Sequence, residues 1–543
     1  MLSSKRLLRL FVFALSLGSV AQAAPPAVPR WSVYEIPLRA SGTYENPYLQ
    51  TGVTATFTGP GGVKKTVAGF WNGENNFGLR FTPTAEGRWS YLTASKDPGL
   101  NGKRGELTCT APKPGSHGFV RRDAAHPYHF VHDDGTRYFM LGTTYYGLVS
   151  AALAGPAWKA AVDSCARHGI TKIRFRVNVK ICENRTSPNP CSSIYASDPS
   201  QPGGVDHDRL NLTHLRATDA VVAYLAEKGI VADFMVFDSQ EKLYGTHEQD
   251  LRYLRHALAR YAAYPNVMWC LTNEFQRVPN KPKPFWNETG RIVRAEDPWL
   301  VEGPNVRPLS IHPFGGQSNG AQFQFHDEPW PVHVILQAGR FVPADTLNLV
   351  TLRNRGHRMP IVNDEFGYMD DDIREWGNGG YNRAVHRNAL WSQYLAGGYA
   401  STGDKAEYPD GRPYQSTAWH SRPEYEDVRH LHDFFTKKGL NYWEMEPANE
   451  RVVSGERTYA LATGDGKMGI VYAAVGGAPQ LLLPYGTYAA RLFDPRTGRD
   501  TPLPAWTGGQ PFALSLPDAQ DWVVYFKRTG TGAARQVTRA DKD

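Results

Sequence analysis

Two stretches of sequence decide the fold: NVMWCLTNEFQ at residues 266–276 and PIVNDEFGY at residues 360–368. Each is an apolar run that breaks onto a glutamate, Glu274 in the first stretch and Glu365 in the second. A parallel strand inside an α/β barrel is apolar along its length and carries reactive side chains at its C-terminal end. We therefore predict that both stretches are strands whose glutamates share one rim of a barrel.

Strands and amphipathic helices alternate around these two stretches, from about residue 119 onward. Eight strands are predicted, at 138–141, 171–177, 230–237, 266–271, 308–311, 321–325, 360–363 and 398–402. Helices are predicted at 158–168, 215–228, 247–263, 383–395 and 425–438. Eight such units in roughly 320 residues are typical of a (β/α)8 TIM barrel with enlarged loops. A doubly wound open sheet is the alternative.

Short alternating segments separated by Gly and Pro flank the barrel on both sides. Turn signals about every 8–12 residues are typical of antiparallel β-sandwiches. The predicted organisation has five parts: a signal peptide at 1–23, an N-terminal Ig-like β-sandwich at 24–115, the catalytic barrel at 116–445, a C-terminal β-sandwich at 446–528 and a disordered tail at 529–543.

The first 23 residues have the pattern of a secretory signal. Three basic residues precede the apolar run 10–20, and Ala21-Gln22-Ala23 fits a cleavage site. The pattern predicts export to the periplasm or the extracellular space, and no later segment is apolar enough to span a membrane. The net charge of +7 includes three charges in this segment, so the mature chain offers no argument for nucleic-acid binding.

Five cysteines are few for a disulfide-built scaffold. Cys182 and Cys191 lie close together in a segment rich in Pro and Asn, which predicts a local disulfide in an exported protein. Cys165 and Cys270 fall in apolar runs and are predicted to be buried thiols.

Two glutamates on one rim are the pair of carboxyl groups that hydrolysis of a glycosidic bond requires. Hydrolysis with retention needs one protonated and one ionised carboxyl, about 5–5.5 Å apart. A cation helps to hold the second one ionised, and Arg174 or Arg176 on strand two is predicted to supply it, with only one of them reaching the mouth. Asp364 competes with Glu365, but alternation along a strand predicts that the two point to opposite faces.

Other polar and aromatic side chains near the ends of predicted strands are candidates for binding a sugar. Aromatic faces suit the apolar faces of sugar rings, although ordinary packing is the alternative for each. The candidates that follow strands one, three, five, six and eight or lie in later loops are Tyr145, Tyr146, Asp238, His312, His326, Trp330, Trp376, Asp404 and Trp419.

The strand-end motifs resemble those of the clan A retaining glycoside hydrolases. The resemblance rests on the pair Asn273-Glu274 after strand four and on Glu365 after strand seven. It implies that Asn273 hydrogen-bonds the sugar 2-hydroxyl, that Glu274 is the general acid and base, and that Glu365 is the nucleophile.

A narrower resemblance lies at the barrel opening. The segment HPYHFVHDDGTRYFMLGTTYY, residues 126–146, is similar to that of the apiosidase-like glycosidases. The order of small sandwich, barrel and closing sandwich also resembles members of that group, whose closing domain is collagen-binding-like. The resemblance covers nearly the whole mature chain and implies a carbohydrate substrate, with no metal or organic cofactor.

The leading hypothesis from the sequence is a secreted retaining glycoside hydrolase that acts on a poly- or oligosaccharide. The alternative is a non-catalytic glycan- or matrix-binding protein with an inactive barrel. An inverting hydrolase with the same two glutamates is a third possibility, and it requires carboxyls more than about 6.5 Å apart. Fold does not determine the sugar or the linkage.

Overall fold

The structure, a computed structural model, describes residues 24–178, 193–239, 241–315, 323–337, 344–368, 383–403 and 423–530. Several predictions fall outside the described residues: the signal peptide, the tail from residue 531, the Cys182–Cys191 disulfide, and the side chains of Trp376, Asp404 and Trp419.

The N-terminal part is a sandwich of two sheets. Phe57 of one sheet and Phe81 of the other stack with ring centroids 3.8 Å apart, and both are fully buried beside Trp89. The five-stranded sheet has the order Ala27–Pro29, Arg104–Thr110, Gly87–Ala94, Thr54–Thr58 and Lys64–Ala68; the three-stranded sheet has the order Tyr34–Arg39, Asn76–Phe81 and Phe70–Trp71.

A small sheet joins this sandwich to the barrel. Its order is Arg137–Tyr138, Phe130–His132, Val120–Arg122, Asn305–Val306 and Val301–Glu302. Tyr138 therefore belongs to this sheet, and the first barrel strand is Leu141–Thr144 instead of the predicted 138–141. The apolar run Tyr138–Leu141 misled the prediction because it crosses from one sheet to the other.

Eight parallel strands form the barrel, which confirms the predicted fold class. In chain order they are Leu141–Thr144, Lys172–Arg176, Val231–Met235, Val267–Cys270, Leu309–Ser310, Val334–Leu336, Ile361–Tyr368 and Tyr399–Gly403. Neighbouring strands pair in the order five, four, three, two, one, eight, seven and six. The Val332 N–H donates to the Leu309 carbonyl at 2.8 Å and links strand five to the start of strand six.

Helices cover the outside of the barrel. Their bounds are Leu148–Ala154, Trp158–Arg167, Leu212–Glu227, His247–Tyr261, Lys283–Glu296, Ala344–Asn354, Arg383–Leu395 and Pro423–Lys437. The five predicted helices are confirmed within about three residues, since their amphipathic pattern is strong. Among the described residues between strands five and six, 311–315 and 323–333, no helix forms.

The predicted sixth strand is wrong. Residues 323–325 are not a strand, and the barrel strand is Val334–Leu336. The strand Val334–Leu336 has only three residues, which is too few to show the alternation of a strand. The alternating apolar residues Phe323 and Phe325 have the pattern of a strand without forming one.

The C-terminal part is a second sandwich, with a core of its own that includes Val471, Val524 and Phe526. Its larger sheet has the order Met445–Pro447, Thr458–Thr463, Met468–Ala473, Trp522–Gly530, Thr487–Phe493 and Asp500–Pro502, with Trp506–Thr507 paired to Thr487–Phe493. The smaller sheet has the order Val452–Ser454, Gln480–Leu481 and Phe512–Ala513.

Ion pairs with buried arginines connect both sandwiches to the barrel helices. Arg80 of the N-terminal sandwich contacts Asp219 at 3.0 Å, and Arg387 of the barrel contacts Asp521 of the C-terminal sandwich at 2.6 Å. Pairs with this bidentate geometry fix orientation as well as distance. The barrel is therefore held from both sides while its carboxyl-terminal rim carries the glutamates. Within the described chain, none of the helices has the length and hydropathy needed to cross a bilayer.

Candidate active site

The two glutamates lie on the same rim of the barrel. Glu274 follows strand four, Val267–Cys270, and Glu365 lies in the second half of strand seven. Both are nearly buried, with 7% and 9% of their surface exposed. Burial raises the pKa of Glu274 and the charge of Glu365 raises it further, so the two carboxyls lie near enough to interact.

The backbone of Glu274 adopts the left-handed conformation, with φ +43° and ψ +58°. Side chains other than glycine rarely take this conformation, and strained residues of this kind cluster at functional sites. Hydrogen bonds hold it in place: the Phe275 N–H donates to the His312 carbonyl at 3.1 Å, and the His312 N–H donates to the Thr272 carbonyl at 3.2 Å. The turn thereby fixes where the Glu274 side chain leaves the strand end.

The carboxyl of Glu274 has two hydrogen-bond donors. Gln337 Nε2 donates to Oε1 at 3.3 Å, and Arg277 Nη1 donates to Oε2 at 3.0 Å. Burial raises the pKa of Glu274, and the negative charge of Glu365 adds to the effect, while Arg277 and Gln337 oppose it. The result is a carboxyl that keeps its proton to higher pH than an ordinary glutamate, as a general acid requires.

Glu365 faces the pocket because strand seven contains a β-bulge. The pairing of strand seven with strand eight shifts register between Asn363 and Phe366, where strand seven has one extra residue. A bulge of this kind re-aims the side chains that follow it. Asp364 and Glu365 therefore both turn inward, and the prediction that they point to opposite faces is wrong.

Glu365 is held by a tyrosine from the first strand end. The Tyr146 hydroxyl donates to Glu365 Oε2 at 2.6 Å, and the Arg176 guanidinium lies over the Tyr146 ring at 4.4 Å. His312 Nε2 lies 3.9 Å from the same oxygen. Burial, together with the charge of Arg174, lowers the pKa of His312 well below its usual value, so His312 is neutral at pH 7.

Beneath the rim lies an inner charge cluster, which consists of Lys172, Arg174, Asp233 and Asp364, all fully buried. Lys172 Nζ contacts Asp233 at 2.8 Å and also binds Asp364, and Arg174 Nη1 contacts Asp364 at 3.3 Å. Burial acts to raise the pKa of Asp364, but Lys172 and Arg174 outweigh it and the pKa is lowered. The carboxylate of Asp364 is therefore engaged by cations below the pocket.

The two arginines of strand two differ in depth: Arg174 is fully buried in the inner charge cluster, and Arg176, which is 17% exposed, lies at the rim over Tyr146. Residues two apart share a face of a strand, and both side chains point inward. Arg174 Nη2 donates to Asn273 Oδ1 at 3.0 Å, and Arg176 pairs with Asp238 at 3.0 Å. Because the Asn273 oxygen accepts from Arg174, the side-chain amide is oriented with its oxygen towards Arg174.

Tyr145 lies apart from the glutamates, unlike its neighbour Tyr146. Its hydroxyl lies 3.0 Å from that of Tyr425 and accepts from Cys165 Sγ at 3.2 Å, and its side chain is fully buried. These contacts lie between the barrel and its helices. Tyr145 is a packing residue, so its predicted role in binding sugar is wrong.

Trp330 and His326 also lie away from the pocket. Trp330 is fully buried against the helix Lys283–Glu296, where its indole N–H donates to Asn287 at 3.0 Å, so it has no exposed face for a sugar. His326 stacks on His357, with ring centroids 3.4 Å apart. His357 precedes strand seven and so belongs to the end of the barrel opposite Glu365. Both predicted binding roles are wrong.

Two residues that contact Glu274, Gln337 and Arg277, were not predicted from the sequence. Gln337 directly follows the true sixth strand, so the correct register would have found it as a strand-end side chain. Arg277 lies on the single 3-10 turn Phe275–Arg277, where a residue three positions after Glu274 comes back alongside it. That turn had no signal in the sequence pattern.

Two parts of the chain match known protein families. Residues 125–403, just over half of the chain, match the model of the apiosidase-like catalytic domain. Residues 27–96 match a domain of unknown function, DUF5060. No curated protein matches the chain.

Solved structures share the fold. A candidate glycoside hydrolase from Bacteroides vulgatus superposes with a TM-score of 0.77 and 22% identity, covering 93% of this chain and 100% of that one. A glycoside hydrolase family 5 structure, also from Bacteroides vulgatus, superposes with a TM-score of 0.60 and 15% identity, covering 76% of this chain and 93% of that one. At these identities the likeness is one of fold.

Proposed function

The chain belongs to the family of apiosidase-like catalytic domains, and from this premise we propose that it is an exported, retaining glycoside hydrolase. Its substrate is a plant, algal or microbial polysaccharide or the oligosaccharides derived from it. One observation carries the proposal: Glu274 and Glu365 lie nearly buried on one rim of the barrel, and burial together with the charge of Glu365 raises the pKa of Glu274. Two carboxyls whose environments differ are the signature of an acid and nucleophile pair.

In the first step Glu365 Oε attacks the anomeric carbon while the bond to the leaving oxygen breaks. Glu274 gives its proton to that oxygen, so the leaving sugar departs as an alcohol and a glycosyl ester of Glu365 remains. The hydrogen bond from Tyr146 orients the attacking carboxylate before the step. His312 is neutral, so it does not form an ion pair with the Glu365 carboxylate that would weaken its attack on the anomeric carbon.

In the second step water attacks the same carbon from the face that the leaving group vacated. Glu274, now ionised, takes a proton from that water, and the ester bond to Glu365 breaks. The free carboxylate of Glu365 and the protonated Glu274 are restored. Arg174 orients the side chain of Asn273. In both steps the Nδ2–H group of Asn273 donates a hydrogen bond to a hydroxyl of the bound sugar.

A substrate screen tests the proposal. Wild type and Glu365→Ala are incubated side by side with a panel of polysaccharides and oligosaccharides, and reducing ends are measured. We expect release by the wild type alone, and NMR of the first-formed anomer should show retained configuration. Glu86→Ala, which removes an exposed carboxylate of the N-terminal sandwich, is the matched control and should keep full activity.

Three outcomes contradict parts of the proposal. Full activity of Glu365→Ala would exclude Glu365 as the nucleophile. An inverted first product would favour the inverting mechanism with the same residues. Binding of a glycan without turnover by the wild type would favour a non-catalytic glycan-binding protein.

A further inference from the structure

An exposed aromatic ring lies beside the proposed general acid. Phe314 follows strand five, two residues after His312, and 46% of its surface is exposed. Among the large apolar side chains of the described residues, the only other aromatic that is this exposed is Tyr485, at 42%, in the C-terminal sandwich. Phe314 therefore stands out by its position on the rim as well as by its exposure.

The backbone and the ring of Phe314 both contact residues next to Glu274. The Phe314 N–H donates to Gln276 Oε1 at 2.7 Å. The Arg277 guanidinium lies 5.6 Å from the centre of the Phe314 ring, and the same guanidinium donates to Glu274 at 3.0 Å. One side chain thus bridges the aromatic ring and the acid.

The next residue reaches the other hydrogen-bond donor of Glu274. A Cβ placed on Gly315 would lie 2.7 Å from the side-chain carbon of Gln337 that carries the amide. Gln337 in turn donates to Glu274 at 3.3 Å. The segment Phe314-Gly315 therefore passes along the Glu274 carboxyl, and its direction is set by contacts on both sides.

Among the described residues, the neighbours of the two carboxyls differ in exposure. Tyr146 and His312, the neighbours of Glu365, are almost completely buried. Arg277, the neighbour of Glu274, is 57% exposed, and Phe314 lies beyond it. A leaving group that takes a proton from Glu274 therefore lies on the side of Arg277 and Phe314, the more exposed of the two.

We propose that Phe314 and Arg277 form the binding site for the leaving-group sugar, with the apolar face of that sugar stacked on the Phe314 ring. The chemistry fits a sugar unit, because an aromatic face binds the C–H face of a ring while a guanidinium donates to its hydroxyls. This inference rests on the proposed function, since it takes Glu274 as the acid that protonates the leaving oxygen.

The first test separates leaving-group binding from the chemical steps. Phe314→Ala and Phe314→Trp are assayed on the oligosaccharide found in the screen and on the glycosyl fluoride of the same sugar, whose leaving group is too small to stack. We expect kcat/KM of Phe314→Ala to fall roughly tenfold on the oligosaccharide and less than about twofold on the fluoride. Phe314→Trp should keep the activity on both substrates.

Tyr485→Ala is the matched control, because it removes an aromatic ring of similar exposure far from the barrel rim. It should leave both rates unchanged. An equal loss on both substrates in Phe314→Ala would show a structural effect, and no loss on the oligosaccharide would show that the ring makes no useful contact. Either result overturns the inference.

A second test does not depend on turnover. Glu365→Ala, alone and combined with Phe314→Ala or Phe314→Trp, is applied to an array of plant, algal and microbial oligosaccharides. Loss of binding with Phe314→Ala, retained with Phe314→Trp, supports the site even if no substrate is hydrolysed. Unchanged binding with Phe314→Ala, or no binding of any arrayed glycan by the protein with Phe314 intact, overturns it.

Discussion

Asp364 and Glu365 are consecutive acidic residues on one strand, yet they belong to two different regions of the barrel. Asp364 lies in the inner charge cluster, where Lys172, Arg174 and Ser401 surround its carboxylate. Glu365 lies in the rim site, where its neighbours are a tyrosine hydroxyl, a neutral histidine and a second carboxyl.

The difference shows how one kind of side chain serves structure in one region and chemistry in the other. In the inner cluster, opposite charges compensate each other in a dry interior, and removal of one of them leaves its partners unpaired. In the rim site, two nearly buried acids lie near enough to interact, and burial and the charge of Glu365 raise the pKa of Glu274. We therefore expect substitutions in the inner cluster to reduce stability and substitutions at the rim to reduce activity.

The sharpest test substitutes the two neighbours separately. Glu365→Gln should lower kcat/KM by at least about 10⁴-fold with the free energy of unfolding nearly unchanged, because a nucleophile is lost without any change in shape. Asp364→Asn should destabilise the protein by about 3–5 kcal/mol, since it leaves Lys172 and Arg174 buried with less compensating charge. Activity assays and urea unfolding measure the two effects. A stable, inactive Asp364→Asn would break the comparison.

Glu274→Gln should produce the next largest effect, and its size should depend on the leaving group. On an unactivated oligosaccharide we expect a loss of about 10²–10⁴-fold, because no proton is delivered to the leaving oxygen. On a glycoside with a good aryl leaving group, the first step should be nearly unaffected, and azide should restore turnover by yielding a glycosyl azide. Equal losses on both substrates would contradict the role of acid.

The same variant reports on stability. The pKa of Glu274 in the folded state is raised above its ordinary value of 4.5 by burial and by Glu365. Its contribution to stability is therefore fully present below that ordinary value and is lost as pH rises through the folded-state pKa. As pH increases from 4.5 through the folded-state pKa of Glu274, we expect the melting temperature of Glu274→Gln to rise relative to that of the wild type. A difference that is constant with pH would contradict the raised pKa.

The adjacent tyrosines provide a smaller, matched contrast. Tyr146→Phe removes a hydrogen bond to a charged carboxylate and should lower kcat/KM by about 10–100-fold. Tyr145→Phe removes contacts with Tyr425 and Cys165, so it should cost about 1 kcal/mol of stability and leave activity within about twofold. Kinetics and thermal unfolding of both variants distinguish the two roles, and similar activity losses would show that Tyr145 also acts at the site.

The smallest expected effect is a shift of the pH profile by Gln337→Leu. The amide of Gln337 stabilises the charged form of Glu274, so its removal should raise the pKa of Glu274 further. Because the acid must be protonated, the alkaline limb of kcat/KM should move to higher pH. Gln480→Leu, an exposed glutamine of the C-terminal sandwich, is the control. If the alkaline limb of the kcat/KM profile stays in place or moves to lower pH, Gln337 does not stabilise the charged form of Glu274.

Sequence patterns predicted the elements whose signal is long and local. The helix at 383–395 is found at the predicted bounds, and strands four and seven bring Glu274 and Glu365 to one rim. Prediction failed at strand six, where a three-residue strand has no period, and Gln337 was missed with it. It also failed at residues 364–365, because a bulge depends on the pairing of strand seven with strand eight and leaves no local signature.

The sequence by itself determined the class of fold and the position of Glu274 and Glu365 at the ends of two barrel strands, because apolar runs of strand length that end on a glutamate encode burial, period and position together. Only the tertiary structure decided what surrounds each acid. Tyr146 and Glu365 are 219 residues apart, and Gln337 and Glu274 are 63 apart. Charge and hydrogen bonding act through space over a few ångströms, so the raised pKa of Glu274 and the orientation of both carboxyls were set by partners that no local pattern could supply.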